Sequence, residues 1–122
     1  MPSLAEQLRA RTKKFAIRIV RLFKRLPKTE EARIMGRQVL RAGTSVAANY
    51  RAVCRARSRA EFVAKMGVVV EEADETVFWL ELLVDTETVP EVLIHDLLVE
   101  ANELLAIFAA SHLTARQNKT NR

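Results

Sequence analysis

QVLRAGTSVAANYRAVCRARSRAEFVAKM, residues 38–66, holds the end of one helix, a reversal and the start of another. The start is Ser58-Arg59-Ala60-Glu61, a capping-box pattern in which a hydroxyl accepts backbone N–H groups ahead of a carboxylate. From there Phe62, Met66, Val69, Ala73, Thr76, Leu80 and Leu83 recur in steps of four and three, which is one face of a helix. Upstream the spacing is also helical but the contents are odd. Gly43, Thr44 and Ser45 stand where a helix usually carries Leu, Glu or Lys, and arginines flank them. Gly36, Gly43 and Ala47 share the core-facing stripe with Leu40, Tyr50 and Cys54. A mid-helix glycine costs about 1 kcal/mol relative to alanine. Small residues there predict a neighbouring helix at close range, which offsets that cost.

Working outward, the chain divides into four helical segments with chemical stops between them. The expected helices span about 4–26, 29–57, 59–86 and 89–116. In the first, Phe15, Ile19, Leu22 and Leu26 step by four and three until Pro27, because the residue before proline avoids helical geometry. Thr29 is a candidate N-cap, with Glu30 and Glu31 suited to the positive end of the dipole. Thr88-Val89-Pro90-Glu91 repeats the start signal, and proline is tolerated in a first turn. The last segment carries Leu97, Ala101, Leu104, Phe108, Ser111 and Ala115, and the polar tail 117–122 is expected to fray. Helices of similar length with short turns predict one all-α domain over residues 1–116, an antiparallel up-down-up-down four-helix bundle.

Charge is divided along the chain. Residues 1–59 hold sixteen Lys and Arg against Glu6, Glu30 and Glu31. Residues 60–113 hold Lys65 against twelve acids. A cationic front and an anionic back invite pairing, within one chain or between chains. The single cysteine, Cys54, excludes an internal disulfide, fits a reducing cytoplasm and reads as a small buried hydrophobe. No apolar run reaches membrane-spanning length, so no membrane partner is expected.

The apolar surface exceeds what one bundle can cover. Val68, Phe78, Trp79 and Leu82 point away from the core stripe of the third segment, with Glu72 and Glu75 among them. Large exposed apolar patches usually mark a partner, and self-association is the expectation; the competing reading lays segment one over this surface. Thr44, Ser45 and Asn49 lie off the second stripe and can hydrogen-bond across an interface without bulk. Arg33, Arg37 and Arg41 form one i,i+4 row, and Arg51 and Arg55 form another. Two readings of the rows stand side by side: a solvated face paired with the acids of segments three and four, or a phosphate-binding ridge for RNA or DNA.

Residues 38–66 resemble the signature of the four-helix bundle proteins related to the 23S rRNA intervening-sequence-encoded proteins. FAIRIVRLFKRLPKTEE (15–31), EEADETVFWLELL (71–83) and EANELLAIFAASHLTAR (100–116) are similar to that family too. The resemblance implies a bundle that assembles as a ring-shaped homopentamer through front-to-back contacts. More distant relatives include the accessory variability protein of diversity-generating retroelements, a basic pentamer that engages a reverse transcriptase and nucleic acid. The family name records where some members are encoded and specifies no activity.

No catalytic constellation emerges. Glu91 and His95 are four apart but have no further ligands, Ser45 has no histidine base nearby in sequence, and no glycine-rich phosphate loop exists. The chain therefore reads as a non-enzyme without metal or cofactor. Two classes remain: a homo-oligomeric interaction scaffold that holds a protein partner, or a sequence-nonspecific nucleic-acid-binding accessory protein using the first two helices.

Overall fold

The computed structural model describes residues 1–120 and consists of α1 (Leu4–Arg25), α2 (Glu30–Val53), α3 (Arg59–Asp85) and α4 (Glu91–Thr120). The first three starts are set by local hydroxyls. Ser3 Oγ accepts the Glu6 N–H at 3.1 Å, Thr29 Oγ1 the Ala32 N–H at 3.3 Å, and Ser58 Oγ the Glu61 N–H at 3.1 Å. The Ser58 box is half made, because the Glu61 carboxylate turns to Lys65 Nζ at 3.2 Å. Leu26, before Pro27, is extended and ends α1. After α3, Glu87 adopts φ 58°, with its N–H on Val84 O at 2.9 Å and Thr88 N–H on Leu83 O at 3.0 Å. That is a Schellman cap.

Three expectations from the sequence are corrected here. α2 stops at Val53 rather than near Arg57, since Arg55 and Ala56 donate to carbonyls three residues back, Ala52 and Val53. Those tight bonds use the following residues to reverse the chain before the Ser58 cap. Cys54 consequently caps the helix and is exposed, not buried. At the other end α4 continues through Thr120 rather than ending near residue 116, while 121–122 lie outside the described residues.

Short turns make successive helices antiparallel neighbours: α1 packs on α2, α2 on α3, α3 on α4, and α4 closes back on α1 most sparingly. The diagonal pairs, including α1 with α3, have no close backbone approach and meet through core side chains, as Tyr50 of α2 does with Phe108 of α4. The core is the inner stripe of every helix, with Phe15, Ile19, Leu80, Leu83, Ile94, Leu104 and Phe108 almost fully buried. Two buried hydroxyls are satisfied by their own helices: Thr12 donates to Leu8 O at 2.8 Å and Thr76 to Glu72 O at 2.7 Å.

The sparse α1–α4 seam is tied by a two-pronged ion pair. Arg11 Nε donates to Glu100 Oε2 at 2.8 Å and Nη2 to Oε1 at 2.7 Å. This hydrogen bonding holds the Glu100 carboxyl below the ordinary glutamate range, against an opposing push from burial. A carboxylate depressed on folding stabilises the protein above its unfolded pKa, and that contribution disappears as pH falls through the folded value. Arg11→Ala is thus expected to cost about 1–2 kcal/mol at pH 7, discounted for partial exposure. Urea unfolding should show parent and variant converging as the pH is lowered into the acid range. A pH-independent gap would mean that the arginine acts through its stem, not its charge.

Candidate interaction surfaces

The arginines that the sequence groups together are separated by the fold. Arg41 faces α3, where Nη1 donates to Glu72 Oε2 at 3.1 Å and Nη2 is paired with Glu75. The ion pairs raise the Arg41 pKa. Glu72 and Glu75 therefore meet an arginine of the same chain, and Arg41 is spent on the α2–α3 seam. Arg33 and Arg37 instead line a hollow of about 300 Å³ with Phe23, Lys24, Leu26 and Lys28, where α1 turns into α2. Arg51 and Arg55 lie at the opposite end of α2, fourteen residues beyond Arg37 and so about 21 Å away along the axis. They line a groove of about 570 Å³ between α1 and α2, with Arg9 and Lys13 on its other wall. Sequence reasoning did not single out Arg9 or Lys13. Among the described residues no acid comes within ion-pair distance of Arg9, Lys13, Arg33, Arg37, Arg51 or Arg55.

The small residues of α2 divide in the same way. At Gly43 an added Cβ would lie 2.8 Å from Ile19 Cγ1, and at Gly36 2.6 Å from Leu26 Cδ1. α1 thus rests directly on both glycines. Ala47 is half-buried and forms part of the groove floor with Ala10, Thr44 and Ala48. Thr44 Oγ1 donates to Leu40 O at 2.6 Å and Asn49 Nδ2 to Ser45 O at 2.9 Å. Those donors are turned back onto their own helix, and Ser45 is half-buried beside them.

On α3, Phe78 is 53% and Val68 38% exposed, whereas Trp79 and Leu82 are half-buried against the core. The Phe78 and Trp79 rings meet edge to face at 5.0 Å. α1 makes no close backbone approach to α3, and the exposure of Phe78 and Val68 shows that it leaves this surface uncovered. The Arg41–Glu72–Glu75 cluster fixes the antiparallel register of α2 and α3. One heptad along, that register sets Ile34, 54% exposed, beside Trp79 and Leu82. The exposed apolar groups on this side are thus Phe78, packed on Trp79, and Ile34 across the seam by that register. Beyond them, Arg33 and Arg37 lie on the α1 side of α2, and the exposed acids Glu81 and Asp85 lie on the α4 side of α3, lining a hollow with Glu91 and His95.

The sequence pattern of the 23S rRNA-intervening sequence protein family runs through residues 7–110. The chain belongs to this family. A crystal structure of a protein of unknown function from the S23 ribosomal protein family, from Bacteroides thetaiotaomicron VPI-5482, is similar at 35% identity with a TM-score of 0.79. The match covers 85% of this chain and 96% of that one. No curated protein matches. The family pattern takes in all but the outermost turns of the bundle, including both glycines and the Arg41 cluster. Among the described residues no helix is long and apolar enough to cross a membrane, and no three His, Cys, Asp or Glu converge as metal ligands.

Proposed function

We propose that this family member is a non-enzymatic, homo-oligomeric interaction scaffold whose copies associate through the patch on the α2–α3 seam. The observation that carries this reading is the exposed ring of Phe78 with Ile34, on a seam that α1 does not reach. Phenylalanine and isoleucine half in water, backed by Trp79 and Leu82, form the kind of surface that partners bury. A second copy of this chain is the occupant that the charges favour. Cations lie on the α1 side of α2 and acids on the α4 side of α3, so a head-to-tail arrangement sets the basic flank of one copy against the acidic flank of the next. Repeated around a ring, that contact closes. Five copies is the number implied by the resemblance of the sequence.

Light scattering on a sizing column, at low and high salt, is the test. The expected result is a stable mass near five times the 13.8 kDa chain. Phe78→Glu should move that mass to the monomer without loss of helix. It should also shift the emission of Trp79, the sole tryptophan, to longer wavelength. A well-folded parent that runs as a monomer at both salts would refute the proposal.

A further inference from the structure

The groove between α1 and α2 lies at the end of the bundle away from the Phe78 patch, and at about 570 Å³ it is larger than the 300 Å³ hollow at the α1–α2 turn, which four cations also line. Arg9 and Lys13 on α1 face Arg51 and Arg55 at the end of α2, over a floor that includes Ala10, Ala47 and Ala48. Arg11 and Arg41 each sit beside two acids. The four groove cations have none in ion-pair distance among the described residues, although Glu6 stands at one edge. Four like charges converging on one cleft repel each other, and a cleft lined by one sign concentrates counter-ions of the other. From this geometry we infer that the α1–α2 groove binds the phosphodiester backbone of single-stranded nucleic acid.

Arg9 and Lys13 stand one helical turn apart on α1, about 6 Å along the axis, and Arg51 and Arg55 oppose them from the last turn of α2 and the reversal after it. The alanine floor leaves depth for a chain to run between the walls, so that both rows reach its phosphates. A duplex is too wide to enter and can only rest on the rim. No aromatic side chain lines the groove, so bases have nothing to stack on. Recognition is of charge and spacing, without base preference. The Thr44 hydroxyl in the floor is already donated to Leu40 O at 2.6 Å, which leaves the four cations as the binding groups. This site differs from the single ridge that the sequence suggests, because Arg41 is consumed by Glu72 and Glu75 and Arg33 and Arg37 belong to the other end.

The test is fluorescence anisotropy with labelled single-stranded homopolymers of DNA and RNA over a range of salt. The parent should bind both, with log K falling against log salt at a slope of about −3, the value for some four phosphates on a single strand. The exposed pair Arg51→Ala/Arg55→Ala should weaken binding about tenfold or more and make that slope shallower by about 1.4. Arg33→Ala/Arg37→Ala removes the same charge from the opposite hollow and should retain the parent slope. Neither pair should alter helix content, and the groove pair should leave the oligomer mass unchanged, so failure here is separable from failure of the self-association reading. No binding by the parent at low salt, or equal losses from both pairs, would overturn the inference. So would equal competition by tripolyphosphate, which would make this a small-oxyanion site, or by polyglutamate, which would make the partner an acidic protein.

Discussion

Gly43→Val is expected to destabilise the bundle by about 3 kcal/mol, the upper part of the range for overpacking a filled core. A Cβ at this position would lie 2.8 Å from Ile19 Cγ1, 3.0 Å from Cγ2 and 3.1 Å from Cδ1. Ile19 is fully buried and branched at Cβ, so it has one favoured rotamer in a helix and cannot swing aside. The gain in helix propensity on leaving glycine is under about 1 kcal/mol for valine, too small to reverse the clash. Relief must come from α1 moving outward. Ile19→Ala removes all three obstructing atoms, so the double variant should recover part of the loss, with a coupling of about 1 kcal/mol or more. Urea midpoints of the four-member cycle measure this, and strictly additive losses would refute the close contact. The consequence extends to function. Ile19 on Gly43 sets how closely α1 lies on α2, and therefore how far Arg9 and Lys13 stand from Arg51 and Arg55.

That contact also shows why the architecture could be read from the sequence and the groove could not. The bundle follows from local signals: the four-three spacing of Phe62 to Leu83, the hydroxyls of Thr29 and Ser58, and Pro27 after Leu26. Each acts within a few residues, so each survives in a one-dimensional reading. The arginine rows depend on rotation and register between helices. An i,i+4 step overshoots a full turn by about 40°, so Arg33 lies well around the helix from Arg41. Arg41 finds Glu72 and Glu75, while Arg33 and Arg37 turn toward the end of α1. The pairing of Arg9 and Lys13 with Arg51 required knowing that Ile19 sits on Gly43. The one available signal was the glycine itself, which marks where another helix must approach. Cys54 was misplaced for a related reason. Ending α2 at Val53, a few residues early, converts a position on the inner stripe into an exposed cap.

Phe108→Ala should have an effect at least as large, about 3–5 kcal/mol, because it removes a fully buried aromatic ring from the core. Phe108 is fully buried on α4, and its ring lies 5.0 Å from that of Tyr50, tilted by 38°. Tyr50 is the only tyrosine in the chain, which supplies a direct probe of the cavity. Burial, reinforced by the neighbouring Cys54, pushes the Tyr50 phenol up to about 12. Opening the core beside it lets water stabilise the phenolate, so phenolate absorbance should begin nearer the ordinary value of about 10. Val92→Ala, at a position 86% exposed, should change neither stability nor titration beyond about 0.5 kcal/mol. The two readouts together separate mechanisms. Lower stability with earlier phenolate formation is the signature of a hydrated cavity between α4 and the end of α2. Lower stability with an unmoved Tyr50 would mean that the helices collapse onto the gap, which would draw the Arg51 wall of the groove inward instead of loosening it.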